Sequence, residues 1–287
     1  MRTSARIVGV AIVALFILVA CIWYAVLRED HRGILTVSFL DIGQGDSIFI
    51  NAPSGRQVLI DGGPDASVLR RLGEVMPFYD HSIDVIIGTH PDADHIGGLI
   101  DVLQRYQTSY IVQSSVQGST PTWNSFEQAI KQDQEKGVKV ITALRGQVID
   151  LGKGAYLEIL SPDRTLLHTD TNTACVVSRL VYGKTSFMLP CDAPQDIENY
   201  LAALGTSTLK SDVLKAGHHG SRTSSSPIFV GYVNPAYAVY SRGCNNKYGF
   251  PHAETIATFA KFQIPTLDTC TQGTITFVSD GAQVWQE

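Results

Sequence analysis

Four side chains able to bind a metal ion fall within six residues, in the segment His90-Pro91-Asp92-Ala93-Asp94-His95. They directly follow segment 84–89, whose apolar run Val85-Ile86-Ile87 predicts a buried strand ending at His90. Imidazole and carboxylate groups suit Zn²⁺, Mn²⁺ or Fe²⁺. A polar surface loop would account for the charges but not for two His and two Asp at this spacing, so the segment predicts a metal centre.

The same order of elements occurs twice along the chain. In the first half a strand ends at Asp61, a helix follows, and a second strand ends at His90, 29 residues later. In the second half Asp192 and His218 stand 26 residues apart in the same order. We interpret this as a structural repeat of two βα halves, packed sheet to sheet in a four-layer αββα sandwich. The strand ends would meet at one edge, where ligands bind in α/β sheets.

Hydrophobic patterns and turn residues define the elements of this α/β fold. Strands are predicted at 34–40, 47–50, 58–60, 84–89, 186–189 and 212–217. Helices are predicted at 66–76, 96–106, 124–136 with Asn124 as the N-cap, 194–204 and 253–262.

The N-terminal segment 7–27 contains 21 consecutive uncharged residues. As a helix, this length spans a hydrocarbon core of about 30 Å. Arg2 and Arg6 precede it, which favours an N-terminus inside the cell and a domain outside. We expect residues 1–32 to form a single-pass cell-membrane anchor with its flanks and residues 33–287 to form one extracytoplasmic domain. The alternatives are a buried core helix and a lipoprotein signal ending in Leu18-Val19-Ala20-Cys21.

The overall charge is not that of a protein that neutralises duplex phosphates. The chain has 27 acidic and 22 basic residues, a formal charge of −5, and no basic stripe. Four basic residues near the motifs could offset phosphate charge locally, or could be ordinary solvated side chains: Lys215, Arg222, Arg242 and Lys247.

Five cysteines form no CxxC pair, which argues against a structural zinc knuckle. In an oxidising compartment the four beyond Cys21 could pair. Cys244 and Cys270 flank the last predicted helix and are the first candidate pair. Cys175 and Cys191 are the second candidate pair. They lie on the two strands of a predicted hairpin, but its register places them one residue away from facing each other directly.

Five segments together resemble the motifs of a known family. Thr89–Gly98 resembles the metallo-β-lactamase signature HxHxDH, in the HxDxDH form of ComEC-type competence proteins. The remaining segments resemble further motifs of that hydrolase domain: Phe39–Ser47, Leu59–Gly63, Leu214–Ser221 with its HHGS sequence, and Asn246–His252. The resemblance covers roughly residues 34–280. It implies the metallo-β-lactamase fold, here expected as a stand-alone hydrolase domain behind a membrane anchor.

The resemblance also implies a ligand set for one or two divalent ions, Zn²⁺ or Mn²⁺. His90 and Asp92 would bind one ion, and Asp94 and His95 would bind the other. Asp192 would bridge the two ions or complete the cluster.

Other residues are expected to close or support this set. His218 would close the site, and the adjacent His219 is the alternative. Asp46, Asp61 and Asn172 are expected to orient the ligands from behind. For the two aspartates, a role as turn or cap carboxylates remains open.

Three positions depart from the family pattern. The family's additional metal-binding histidine lacks a matching residue, because His168 lies in a polar loop and is interpreted as a loop histidine. Cys191 stands where the family's Thr-Gly-Asp has glycine. Phe250 replaces a histidine, so protonation of a leaving group would fall to an aspartate such as Asp94 or to His252.

For the ComEC-type branch, the resemblance implies a phosphodiester substrate attacked by metal-activated water. We expect an extracytoplasmic, metal-dependent phosphodiesterase or DNase connected with DNA uptake, with DNA as substrate and DNA-uptake proteins as candidate partners. One alternative is a metallo-hydrolase of small esters or amides, and the other is a non-catalytic module that binds DNA or a partner. The fold hosts many chemistries, so it does not choose among them.

Overall fold

The computed structural model describes residues 2–29, 33–167, 169–205 and 209–287. The chain divides into two units, Met1–Gly33 and Ile34–Glu287. The first unit contains helix α1 (Arg2–Glu29). Its segment Ile7–Tyr24 has a mean hydropathy of 2.8 and is long and apolar enough to cross a membrane. None of that segment is buried, which argues against the alternative of a core helix.

The second unit contains strands and helices in alternation. Its strands are β1 (Leu35–Phe39), β2 (Ile48–Asn51), β3 (Gln57–Ile60), β4 (Val85–Gly88), β5 (Tyr110–Gln113), β6 (Lys139–Thr142), β7 (Val148–Gly152), β8 (Ala155–Ser161), β9 (Val177–Tyr182), β10 (Thr185–Leu189), β11 (Val213–Lys215), β12 (Tyr237–Tyr240), β13 (Thr266–Asp268), β14 (Ile275–Ser279) and β15 (Val284–Gln286). Its helices are α2 (Ser67–Val75), α3 (Ala93–Arg105), α4 (Pro121–Glu135), α5 (Gln195–Ala203), α6 (Pro227–Val233), α7 (Ala253–Lys261) and α8 (Thr269–Gln272), with a 3-10 turn at Gly217–Gly220.

Two mixed sheets form the centre of this unit. One has the strand order β15-β14-β1-β2-β3-β4-β5-β6, and the other has the order β13-β12-β11-β10-β9-β8-β7. Apolar side chains of both sheets, such as Val37 and Phe187, pack against one another between them. A second apolar cluster joins the first sheet to α2, α3 and α4, and a third joins the second sheet to α5, α6 and α7. The predicted four-layer αββα sandwich is confirmed.

The two halves share the same construction where their central strands begin. The Asp84 carboxylate accepts a hydrogen bond from the backbone N–H of Gln57 at 2.8 Å, and the Asp212 carboxylate accepts one from Ser186 at 2.8 Å. Each aspartate precedes a strand, β4 or β11, that pairs in parallel with the strand carrying the donor. These bonds support the register of both parallel pairs, and the register brings the strand ends of the two halves to one edge.

Helix α3 begins earlier than predicted. It starts at Ala93 instead of residue 96, because Asp92 has an extended backbone and is the N-cap residue. Asp94 and His95 therefore lie in the first helical turn, where the backbone fixes their relative directions.

Helix α4 also begins earlier than predicted, at Pro121. The N-cap is Thr120, whose hydroxyl accepts a hydrogen bond from the Trp123 N–H at 3.1 Å. Proline suits the first helical position because the N–H that it lacks has no intrahelical partner there. The prediction of Asn124 as the N-cap was wrong, since Asn124 lies inside the helix.

The prediction of disulfides is confirmed for one pair and wrong for the other. Cys244 and Cys270 form a disulfide, whereas Cys175 and Cys191 are buried free thiols. The antiparallel pairing of β9 with β10 ends at Ser178 and Leu189, so it does not extend to either of these cysteines.

Full-length protein that is denatured without reduction should therefore titrate three thiols, namely Cys21, Cys175 and Cys191. After reduction the same reaction should titrate all five cysteines. A chromogenic thiol reagent measures both numbers, and five reactive thiols before reduction would contradict the Cys244–Cys270 bond.

Candidate metal centre

The strand ends bring the candidate ligands of both halves together. The first half contributes Asp61, His90, Asp92, Asp94 and His95, and the second contributes Asp192, His218 and His219. Of the eight non-glycine residues with positive φ in the described chain, four lie here: Asp61, Cys191, His218 and His219. Such backbone costs roughly 1–3 kcal/mol per residue and is concentrated at functional sites. The strain therefore marks this edge of the sheets as the functional one.

Four ligand atoms from both halves lie close together. Asp192 Oδ2 lies 3.3 Å from His95 Nε2 and 3.3 Å from His219 Nε2. Asp94 Oδ2 lies 3.5 Å from the same His219 nitrogen. Ligands about 2.1 Å from a tetrahedral Zn²⁺ ion lie about 3.4 Å from one another. The separations of Asp192 from both histidines therefore fit ligands of a single ion, and Asp94 adjoins this set through His219.

Hydrogen bonding leaves one ring nitrogen of each histidine in this set available. His95 Nδ1 lies 2.7 Å from Asp61 Oδ2, and His219 Nδ1 lies 2.9 Å from the Ser241 carbonyl oxygen. The Nε2 atoms of both rings are buried and have no hydrogen-bond partner among the described residues. A ring that donates from Nδ1 keeps a lone pair on Nε2, and a buried lone pair without a partner is costly. The residues present therefore fit a bound cation.

A second group of candidate ligands lies around His90. Its side chain is wholly buried, and Nε2, 3.6 Å from Asp92 Oδ2, has no hydrogen-bond partner within the described ranges. Burial raises the pKa of Asp92, but His90 and the Thr171 hydroxyl outweigh burial and lower that pKa. The side-chain oxygen of Asn172 is also buried and has no hydrogen-bond partner among the residues that the structure describes. The position of His168, interpreted above as a loop residue, lies outside the described residues.

The turn after β11 places two imidazoles near Asp192. His218 Nε2 lies 3.5 Å from Asp192 Oδ2, and His218 Nδ1 lies 3.2 Å from Thr223 Oγ1. His218 is partly exposed, whereas His219 is buried. The structure brings His219, rather than His218, into the buried group with Asp46, His95 and Asp192, whose ligand atoms lie within 4.8 Å of one another.

Lys215 is an internal partner of the carboxylates. Its side chain is wholly buried, and Nζ forms an ion pair with Asp46. The same nitrogen lies 3.4 Å from Asp192 Oδ1 and 3.2 Å from the Cys191 carbonyl oxygen. The hypothesis that Lys215 offsets phosphate charge was wrong, because these acceptors already enclose its ammonium group. Asp46 Oδ1 also lies 3.3 Å from His219 Nδ1, so Asp46 supports that ring from the side away from Nε2.

Asp61 organises the histidines of the first half. Its Oδ1 accepts the Thr89 N–H at 2.8 Å, and its Oδ2 accepts the Thr89 hydroxyl at 2.6 Å. Oδ2 also faces His95 Nδ1, as described above. The Thr89 hydroxyl oxygen lies 3.1 Å from His90 Nδ1 and can accept its proton. One carboxylate thereby sets the ring orientation of two candidate ligands, directly for His95 and through Thr89 for His90.

Replacing Asp61 by asparagine should weaken Zn²⁺ binding about 10- to 100-fold. The new NH₂ group would face the His95 N–H and the Thr89 hydroxyl in place of an acceptor. The His95 ring would then lose its fixed orientation, and so would the His90 ring, which Thr89 orients. Competition against a chromophoric chelator measures the affinity.

The matched control is Asp65→Asn. Asp65 is exposed and accepts the Ser67 N–H at 2.9 Å, a role that asparagine fills equally well. This variant should bind Zn²⁺ like the wild type. Equal affinities for the Asp61 and Asp65 variants would show that Asp61 does not orient the ligands.

Cys191 is a neighbour of the centre that sequence reasoning missed. Its Sγ lies 3.4 Å from His90 Nδ1, and Cys191, His90 and His95 form a second buried group of candidate ligands. Burial raises the pKa of the Cys191 thiol well above its usual value, and the adjacent Cys175 raises it further. The signal in the sequence was its place directly before Asp192.

His252 and Phe250 lie on the outer side of the HHGS turn. His252 is the N-cap residue of α7, and its Nδ1 accepts the Arg222 N–H at 3.0 Å. The centroid of the buried Phe250 ring lies 5.1 Å from that of His252 and 5.6 Å from that of His218. The residue that replaces the family's histidine therefore contacts both the turn and His252.

The electrostatics of the cluster favour bound positive charge. Burial alone lowers the pKa of His95 and of His219, but the carboxylates, Asp192 first among them, outweigh burial and raise both pKa values well above the usual range. Burial raises the pKa of Asp94, but His219 and His95 outweigh it and lower the value to about 2. Carboxylates that draw protons onto buried imidazoles would equally draw a divalent cation into their place.

Comparison with curated proteins relates the chain to competence proteins. ComE operon protein 3 of Bacillus subtilis is 31% identical over 84% of this chain and 32% of its own length. Competence protein ComA of Neisseria gonorrhoeae is 29% identical over 75% of this chain and 28% of its own length. The chain thus spans about a third of the length of these relatives.

A solved structure and a family model also match this chain. Igni18, a metallo hydrolase from the archaeon Ignicoccus hospitalis, shares the fold with a TM-score of 0.55 at 14% identity, over 84% of this chain and 98% of that protein. Residues 40–243 match the model of the metallo-beta-lactamase superfamily and include all of the candidate ligands. With a metallo-hydrolase fold and a buried His and Asp cluster consistent with divalent metal ions, this chain belongs to the metallo-beta-lactamase superfamily.

Proposed function

We propose that this chain is a membrane-anchored, extracytoplasmic phosphodiesterase that cleaves DNA, with residues 1–32 as the anchor and residues 33–287 as the hydrolase domain. The observation that carries the proposal is the convergence of three buried Nε2 atoms, none with a hydrogen-bond partner in the described part of the chain, on carboxylates from both halves. These nitrogens belong to His90, His95 and His219. The name of one relative, competence protein ComA, refers to competence, which we connect with the uptake of DNA.

The charge of the centre suits two divalent ions, Zn²⁺ or Mn²⁺. The centre contains one ammonium group, that of Lys215, and five carboxylates, so its net charge is −4 when the imidazoles are neutral. The carboxylates are those of Asp46, Asp61, Asp92, Asp94 and Asp192. Two divalent cations balance that charge. Asp192 would hold an ion through Oδ2, which faces the imidazoles, while Oδ1 lies against Lys215. When bound, such ions supply hydroxide at neutral pH and polarise the phosphoryl oxygen under attack.

The chain's own residues divide the remaining tasks. Asp94 is assigned to metal binding, because a carboxyl group with a pKa of about 2 holds no proton to donate at neutral pH. Stabilisation of the leaving oxygen is assigned to His252. Its Nδ1 accepts the Arg222 N–H, so the neutral ring carries its proton on Nε2 and can donate a hydrogen bond from there. His218 and His219 position the Asp192 carboxylate, because the Nε2 atoms of both rings lie near its Oδ2 atom.

The distribution of positive charge supports a phosphodiester over a neutral ester. Arg222 lies 3.8 Å from Glu254, and Arg242 pairs with Asp268, so neither presents an uncompensated charge. Lys247 instead lines an open groove together with Asp94. A cation beside the candidate centre can bind a phosphate next to the one being cleaved.

Two observations support a position outside the cytoplasm. The first is the apolar segment of α1, which is uncharged across Ile7–Tyr24. The second is the Cys244–Cys270 disulfide, since such bonds persist in oxidising compartments.

Phe250 favours one second candidate, a non-catalytic module that binds DNA or a partner. An apolar ring lies against His218 where the family has a histidine, so one source of protons is absent from that position.

A substrate panel tests the proposal. Full-length protein in mild detergent, supplied with Zn²⁺ or Mn²⁺, is incubated with single-stranded DNA, duplex DNA, a carboxylic ester and a β-lactam amide. We expect cleavage of DNA and only background hydrolysis of the other two. Turnover of the ester or amide without DNA cleavage would point to a small-molecule hydrolase. Metal binding without turnover of any substrate would point to the binding module.

A further inference from the structure

An open groove of about 410 Å³ adjoins the candidate metal centre. Its walls include Gln44 and Asp94 on one side and Asn245, Lys247 and Tyr248 on the other. The volume falls within the range of about 300–1,000 Å³ that is typical of ligand sites. Amides, one cation and one aromatic ring line a space that begins at a candidate metal ligand.

The aromatic side chains form a path from the groove to the centre. The Tyr248 side chain is about half exposed, with 49% of its surface accessible. Its ring stacks on Phe250 with centroids 5.2 Å apart and planes 16° apart, and Phe250 contacts His218. Lys247 Nζ lies over the Tyr248 ring, 5.2 Å from its centroid. A half-exposed aromatic ring and the ammonium group above it therefore lie beside the candidate metal ligands.

The loop that carries Tyr248 is held at several points. The Cys244–Cys270 disulfide ties its start to α8. The Asn246 amide donates to the carbonyl oxygens of Gly243 and Phe250, each at 2.9 Å, and accepts the Phe250 N–H at 2.8 Å. A ring presented by such a loop loses little conformational freedom when a ligand stacks on it.

The opposite wall is equally fixed and offers an unused donor. Gly45 has a φ of +124°, and a Cβ atom there would collide with the Asp94 carbonyl oxygen, so the loop packs tightly on α3. The Gln44 side-chain oxygen accepts the Gly243 N–H at 3.3 Å, which joins the two walls. Gln44 Nε2 is covered and has no hydrogen-bond partner among the residues described.

We propose that this groove is a nucleotide subsite in which Tyr248 stacks on a base of single-stranded DNA while Lys247 binds a neighbouring phosphate. The inference rests on the proposed function and names the form of its substrate. Every base has a face that can stack on an aromatic ring, and such stacking is available only where the base is not paired within a duplex stack.

Binding without turnover tests this subsite. The full-length protein in mild detergent and a chelator is titrated into a fluorescent single-stranded oligonucleotide, and into an abasic strand of the same length, while anisotropy is recorded. Tyr248→Ala should raise the Kd for the base-containing strand about tenfold and leave the Kd for the abasic strand unchanged. Tyr248→Phe should retain wild-type binding. Lys247→Gln should raise both Kd values by the same factor and weaken their dependence on salt.

Tyr232→Ala is the matched control, since Tyr232 on α6 is 46% exposed and does not line the groove. The subsite is overturned if Tyr248→Ala binds the base-containing strand like the wild type, or weakens both strands equally. Failure of the wild type to bind the base-containing strand would overturn it too. Because no turnover is measured, these outcomes are independent of the substrate panel that tests the proposed function.

Discussion

Replacing Asp94 or Asp192 by alanine should reduce DNA cleavage by about 10²–10⁴-fold. Asp94 comes from the first turn of α3, and Asp192 follows β10 in the other half. Either change removes one wall of the same group of ligands and, with it, much of the affinity for metal. Cleavage of a labelled single strand and metal content per chain, measured on the same samples, should fall together.

The matched control is Asp101→Ala, which removes the same charge from the same helix, two turns beyond Asp94. It should retain wild-type cleavage and metal content. Asp170 makes a poorer control, because its carboxylate accepts the N–H groups of Asn172 and Thr173 at 3.1 and 3.2 Å and so shapes the loop beside Asp92. Full cleavage by both the Asp94 and Asp192 variants would refute the assignment of this centre.

Replacing Lys215 by methionine should lower the free energy of unfolding of the metal-free protein by about 3–5 kcal/mol. The change leaves the buried carboxylates of Asp46 and Asp192 without their internal cation. Urea denaturation of the full-length protein in chelator and mild detergent measures the loss. Added Zn²⁺ should restore part of it, because divalent ions supply the missing positive charge.

The pH dependence of this loss follows from the carboxylates. Burial raises the pKa of Asp46, but Lys215 and His219 outweigh it and lower that pKa below the usual aspartate range. A carboxyl group whose pKa is lower in the folded state than in the unfolded state stabilises the folded protein at pH values above its unfolded-state pKa. This contribution is lost as the pH falls through the folded-state pKa. The difference between wild type and the Lys215 variant should therefore shrink in acid.

Lys184→Met is the control for this experiment, since Lys184 is exposed at the turn between β9 and β10. Its effect should stay within about 0.5 kcal/mol. A Lys215 variant as stable as the Lys184 variant would mean that the buried ammonium does not stabilise the carboxylates.

The repeated strand, helix and strand pattern made the architecture predictable. Asp61 with His90 and Asp192 with His218 have similar spacings because each half pairs two parallel strands around one helix. Periodicity and ligand type also predicted that the cluster of Asp94 and His95 lies at the strand ends. These features depend on local order along the chain, which a single sequence displays.

The missed features depend on backbone direction and on contacts distant in sequence. His218 and His219 are adjacent and chemically identical, and only the left-handed turn, with φ values of 49° and 56°, decides which ring is buried. Lys215 was interpreted as a surface cation because composition does not show that its ammonium meets Asp46 from the other half. Cys191 approaches His90 across 101 residues of chain, a contact that no spacing rule predicts.

Return of metal to stripped protein tests the central claim most directly. Full-length protein treated with chelator is supplied with increasing Zn²⁺ or Mn²⁺, and bound metal and cleavage of a labelled DNA strand are measured on each sample. The account predicts no cleavage by the stripped protein, and a rate that rises with bound metal and saturates at about two ions per chain. Protein that holds its metal and leaves the DNA intact, or stripped protein that cleaves as fast as loaded protein, would contradict it.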